Sequence, residues 1–155
     1  MSDPIKLPEG AWVLVADGEK ALFMRNVTDA QDPMFEIVRE KKQDNPPDRE
    51  QGTDSPGRKA DTGVGQRSAM EETDWHQIAK ERFADEIAER LYKYAHAGRF
   101  DRILLIAPPA TLGDLRQKLH KEVTARVVGE IPKTLTNHPL DQIEKLLKRE
   151  LNEAA

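Results

Sequence analysis

The chain has 155 residues, 24 Lys and Arg against 28 Asp and Glu, and a formal charge of −4. Its length suits one domain over 1–155, and with no cysteine a disulfide framework, a cysteine nucleophile and Cys-based zinc or iron–sulfur sites are excluded. The mild acidity argues against a domain that grips nucleic acid by bulk charge, but it leaves room for a local basic patch.

The first apolar run, Ala11-Trp12-Val13-Leu14-Val15-Ala16, reads as a strand covered on both faces. Asp17-Gly18 follows it, a hairpin signal because both turn positions tolerate positive φ. Ala21-Leu22-Phe23-Met24 is the expected return strand. After the turn at Asp32-Pro33, Phe35-Glu36-Ile37-Val38-Arg39-Glu40 alternates with charge, as an edge strand does.

Residues 43–73 hold Pro46, Pro47, Pro56, Gly52, Gly57, Gly63 and Gly65, and their only sizeable apolar residues are Val64 and Met70. Such a segment buries too little to offset an ordering entropy of about 1–2 kcal/mol per residue. It is expected to be a long mobile loop, and loops of that length in compact domains are functional or disordered.

Helical spacing then begins. Trp75, Ile78, Ala79, Phe83, Ile87, Leu91 and Tyr94 share one face up to about residue 97, with Thr73 or Asp74 as the expected N-cap and Gly98 as the C-cap. Ile103-Leu104-Leu105-Ile106-Ala107 reads as a buried central strand stopped by Pro108-Pro109. Leu112, Leu115, Leu119 and Val123 predict one short amphipathic helix, and 125–131 a weaker strand at an edge. Asn137 or His138 is placed to cap a last helix that has Pro139 in its first turn and Leu140, Ile143, Leu147 and Leu151 on one face. The order βββ-α-β-α-β-α predicts an α/β fold of three layers, α/β/α, around a five-stranded mixed sheet of order 3-2-1-4-5 with strand 2 antiparallel, the ribonuclease H-like layout.

That layout raises a metal-dependent nuclease as one alternative, since such enzymes hold two Mg²⁺ on carboxylates of the first strand, first helix and fourth strand. Asp17 and Glu81, Asp85, Glu86 or Glu89 could supply two of these positions, but the fourth strand ends Ile106-Ala107-Pro108 without a carboxylate. The histidines, His76, His96, His120 and His138, have no i, i+3 or i+4 pairing, and no metal site is expected. Ser2, Ser55 and Ser68 sit in no Gly-x-Ser-x-Gly turn. No phosphate loop is present, and Gly63-Val64-Gly65 lacks the preceding buried strand of a dinucleotide fingerprint. No catalytic residue and no cofactor follow from these patterns. The aromatic residues fall at core spacings, and Trp75 stands at the end of the long loop.

Several blocks occur in order: Trp12-Val13-Leu14-Val15-Ala16-Asp17-Gly18, Pro56-Gly57-Arg58, Leu105-Ile106-Ala107-Pro108-Pro109, Leu112-Gly113-Asp114-Leu115-Arg116 and Lys133-Thr134-Leu135-Thr136. Together they resemble the bacterial host-attachment protein family over nearly the whole chain. Where that family often has a His near the end of its loop, this chain has Arg67-Ser68-Ala69. The family in turn resembles the middle domain of eukaryotic and archaeal peptide-chain release factors. There a Gly-Gly-Gln loop leads into the long first helix and reaches the peptidyl-transferase centre of the ribosome.

Gly63-Val64-Gly65-Gln66-Arg67 lies at the corresponding place, with Gly65 and Gln66 matching the second Gly and the Gln, and Val64 replacing the first Gly. The resemblance implies a non-enzymatic cytoplasmic binding protein that associates with the ribosome or its RNA through loop 56–69. Arg58, Lys59, Gly63, Gly65, Gln66 and Arg67 are its expected contact residues. The competing reading is a protein-interaction factor that affects attachment to host cells, directly or through a protein partner. No apolar run approaches the roughly 20 residues that span a bilayer, and residues 1–10 show no secretory signal, so neither membrane insertion nor export is expected.

Overall fold

The computed structural model describes residues 6–43 and 64–153, and for 64–74 and 152–153 it describes the backbone path alone. Five strands form one sheet: β1 (Trp12–Ala16), β2 (Lys20–Asn26), β3 (Phe35–Lys42), β4 (Ile103–Ile106) and β5 (Val127–Ile131). Among the described residues four helices accompany them: α1 (Val64–His96), α2 (Pro109–Lys118), α3 (Lys121–Thr124) and α4 (Leu140–Glu153). The strand order is β3-β2-β1-β4-β5. β2 is antiparallel to β1 and β3, while β1, β4 and β5 are mutually parallel, so the expected topology holds.

The centre of the sheet is buried on both faces because β1 and β4 carry apolar side chains in both directions. Trp12, Leu14 and Ala16 of β1, with Ile103 and Leu105 of β4, pack under Phe83, Ile87 and Leu91 of α1 and Leu112 and Leu115 of α2. Val13, Val15, Leu104 and Ile106 point the other way, onto Ile143, Leu147 and Leu151 of α4. Each fully buried side chain of this size contributes about 1.5–3 kcal/mol. Across the helix layer, Lys118 of α2 holds Asp85 of α1 at 3.0 Å, and the hydrogen bond that it donates to the Asp85 carboxylate raises the lysine above its ordinary pKa.

Local chemistry ends the elements. α1 closes in a Schellman motif: Arg99 N–H donates to the Tyr94 carbonyl (2.9 Å), Gly98 N–H to that of Ala95 (3.0 Å), and Gly98 takes a φ of 73°. The C-cap expected at Gly98 is therefore present. At edge strand β3 the register shifts opposite Phe23 and Met24, and such an irregularity discourages further strand pairing.

Three expectations are corrected. First, the long helix starts at Val64, ten residues before Asp74, so the segment expected to be loop to residue 73 is helical from 64 onward. Thr73 and Asp74 lie inside α1 and do not cap it. Helix extends by one hydrogen bond per residue once a packed body exists, and Ala69, Met70, Glu71 and Glu72 are good helix formers. Second, the Asp17-Gly18 turn uses no positive φ, which among the described residues is confined to Gly10 and Gly98. The Asp17 carboxylate closes that turn instead. Third, the helix expected from Leu112 to Val123 is two helices. Leu119 is extended (ψ 134°), and His120 starts α3 by accepting the Glu122 N–H on Nδ1 at 3.0 Å.

Candidate functional site

The parallel strands β1, β4 and β5 end at one edge of the sheet, the place where open α/β sheets present ligand crevices. Three of the sequence blocks meet there. Asp17-Gly18 leaves β1, Pro108-Pro109 leaves β4 and opens α2, and the 132–139 connection after β5 brings in Thr136. The Asp17 Oδ1 accepts the N–H groups of Glu19 (2.7 Å) and Lys20 (2.8 Å). Its Oδ2 accepts the hydroxyl of Thr136, which is buried. The carboxylate that sequence offered as a first-strand metal ligand thus holds a turn and a loop.

A cleft of about 430 Å³ opens beside this turn, between α1 and the start of α2. Asp17, Glu19 and Asp114 supply its carboxylates, Lys80 its cation, and Gln77 and Thr111 further polar groups. Lys80 lies across Gly18, where an added Cβ would meet its side-chain carbons at 3.0–3.3 Å. The absence of a side chain at Gly18 therefore lets the lysine stem close over the turn. Gln77 reaches Glu81 at 3.3 Å. Among the described residues no group of three or more His, Asp or Glu is disposed to hold a metal.

Of the expected contact residues, Arg58, Lys59 and Gly63 lie outside the described residues. Gly65, Gln66 and Arg67 fall in the first turns of α1 and not in a loop. α1 runs antiparallel to β1: Gln77 and Lys80 stand at the carboxyl edge, whereas Tyr94 packs on Trp12 at the start of β1, their ring centroids 5.0 Å apart. Gln66 precedes Gln77 by eleven positions, so it sits about 16 Å further along the helix axis at 1.5 Å per residue. It therefore lies on the same side of the sheet as the cleft. No acidic residue occupies the first turn of α1.

Sequence reasoning missed Lys80, Gln77, Thr111 and Asp114, which join the site only through packing of α1 against α2. It also missed the neighbours of Tyr92, whose ring lies 4.4 Å from that of His120 and 5.5 Å from that of His96. Trp75 is half-buried, with the Arg82 guanidinium 5.5 Å from its ring. Among the described residues no helix is long and apolar enough to cross a membrane.

No curated protein matches this chain. Among solved structures, the crystal structure of the archaeal translation termination factor aRF1 is similar over 93% of this chain and 39% of that one, at 10% identity and a TM-score of 0.46. A family model, bacterial archaeo-eukaryotic release factor family 12, matches residues 10–147. That match establishes the release-factor relation implied by the sequence blocks and leaves the host-attachment resemblance unconfirmed. The chain belongs to bacterial archaeo-eukaryotic release factor family 12.

Proposed function

We propose that this chain is a non-enzymatic, cytoplasmic binding protein of the translation apparatus that contacts ribosomal RNA with the N-terminal end of α1. The observation that carries this reading is the position of Gly65 and Gln66 in the first turn of a 33-residue helix, in a chain of a release-factor family. The first four N–H groups of a helix have no partners within it, and its N-terminus favours negative charge. With no acidic residue in that turn, those N–H groups, Gln66 and Arg67 suit a phosphate or a ribose hydroxyl. Arg58, Lys59 and Gly63 extend the same contact in this proposal. Val64 in place of a first glycine removes part of the peptide-release pattern, which supports binding over catalysis. No feature of the described residues favours a direct part in attachment to host cells.

The test is sedimentation of a cell lysate through a sucrose gradient, comparing the wild type with G65A/Q66A. The wild type is expected with ribosomal particles at low salt, leaving them as salt rises, and the double variant at the top of the gradient. Alanine is a better helix former than glycine by about 1 kcal/mol, so lost sedimentation in that variant would not arise from a melted helix. A wild type that stays at the top at every salt concentration overturns the proposal.

A further inference from the structure

The end of the sheet opposite the cleft carries arginines that no carboxylate among the described residues holds. The Schellman turn at Gly98 delivers Arg99 directly beneath α1, with its guanidinium 5.3 Å from the Tyr94 ring and 5.8 Å from the Trp12 ring. Arg90, one turn before Tyr94, lies 5.9 Å from the same tyrosine ring. Arg102 is brought alongside by the sheet, because its carbonyl accepts the Trp12 N–H at 2.9 Å. Among the described residues none of these three forms an ion pair or a side-chain hydrogen bond, whereas Arg25, Lys41, Arg116 and Lys118 are each held by a carboxylate. Arg99 and Arg102 line a concave surface of about 490 Å³, together with Glu9 and Asp101.

We propose that this arginine end binds the phosphodiester backbone of RNA, at a surface separate from the Gly65–Gln66 end and independent of the reading given for it. A guanidinium is a planar fork of donors that fits phosphate oxygens two at a time. Contact with Tyr94 and Trp12 orders Arg90 and Arg99 in advance, which lowers the side-chain entropy lost on binding. A protein partner would need apolar anchors at the centre of the patch. Among the described residues none of the exposed large apolar side chains, Val27, Met34, Ile37, Ile78, Val128 and Leu140, lines this surface. A polar, arginine-bearing surface is the character of a nucleic-acid contact. Glu9 and Asp101 oppose the phosphates, so the contact is weak and sensitive to salt.

The test is fluorescence anisotropy of a fluorescein-labelled single-stranded RNA of about 20 nucleotides with the full chain, from about 50 to 200 mM salt. The wild type is expected to bind, and R90Q/R99Q/R102Q to bind at least about tenfold more weakly. Three lost phosphate contacts make the slope of log K against log salt shallower by about 2, at roughly 0.7 per contact on a single strand. R102Q alone removes a side chain with no ion pair or side-chain hydrogen bond among the described residues and is expected to weaken binding without changing thermal stability, while D101N is expected to tighten it. G65A/Q66A should bind this RNA as the wild type does, which separates this surface from the ribosome-directed reading. The proposal is overturned if the wild type does not bind, or if K42Q/K145Q/R149Q, of equal charge change elsewhere on the surface, weakens binding as much. Competition by poly-glutamate as effective as unlabelled RNA would overturn the choice of RNA as the partner.

Discussion

Asp17 uses both carboxylate oxygens inside the fold: one on the two N–H groups of its own turn, the other on a hydroxyl 119 positions later in the chain. A hydrogen bond to a charged group contributes about 1.5–3 kcal/mol, and the bonds of one turn share that gain. Asp17→Ala is therefore expected to lower the unfolding free energy by about 2–3 kcal/mol in urea titration. D17N keeps one acceptor oxygen and should lose less. In a double-mutant cycle with Thr136→Val the two sites should couple by at least about 0.5 kcal/mol, because removing either partner ends the same bond. An unchanged stability in D17A would mean that the turn and the 132–139 loop are held by something else. The turn half of this arrangement was legible in the sequence, since Asp-Gly between apolar runs announces a hairpin. The Thr136 half was not, because nothing local to residue 136 says which of the chain's carboxylates it will meet. Buried Asn26 is a parallel case. Its amide donates to the Leu7 and Asp29 carbonyls and accepts from the N–H groups of Thr28 and Met34, and periodicity offered no sign of that role.

Elements were legible where one physical signal dominated. β1 and β4 are short, continuous apolar runs bounded by turn residues, and helix α4 places Ile143, Leu147 and Leu151 on one face. The start of α1 was hidden because glycines and a lack of apolar residues resemble loop composition, while cooperative extension from a packed helix is not a local property. The break at Leu119 was hidden because Leu112, Leu115, Leu119 and Val123 keep helical spacing straight through it. Two glycines test the conformational part of this account. Gly98 has φ 73° and open space where a Cβ would project, whereas Gly113 lies within α2 at ordinary helical φ, also with open space. Gly98→Ala meets no atom, so its cost comes from the left-handed backbone alone, about 1 kcal/mol. Gly113→Ala removes unfolded-state freedom without strain and should stabilise by about 0.5–1 kcal/mol. Opposite shifts in thermal midpoint check the pair, and equal shifts would refute the backbone explanation.

At the scale of the molecule, the sheet divides the apolar interior into two layers, and the same strands supply both. Leu14 and Leu105 face α1 and α2, while their chain neighbours Val13, Val15, Leu104 and Ile106 face α4. Neither layer can loosen without freeing strands that the other layer also uses, so the chain is expected to unfold as one unit. Leu91 of α1 and Leu147 of α4 are both fully buried, one in each layer. Truncating a buried leucine to alanine costs about 2–5 kcal/mol. L91A and L147A should each lower stability within that range, and the double variant by their sum to within about 0.5 kcal/mol, because the sheet stands between the two cavities. Tryptophan fluorescence, with Trp12 inside the α1 layer, and far-UV circular dichroism should report one coincident transition in all three variants. If L147A gave an early step in circular dichroism that the tryptophan signal did not share, α4 would be a separately unfolding layer. The connection from Thr136 to Asp17 would then tether that layer without making it cooperative with the rest.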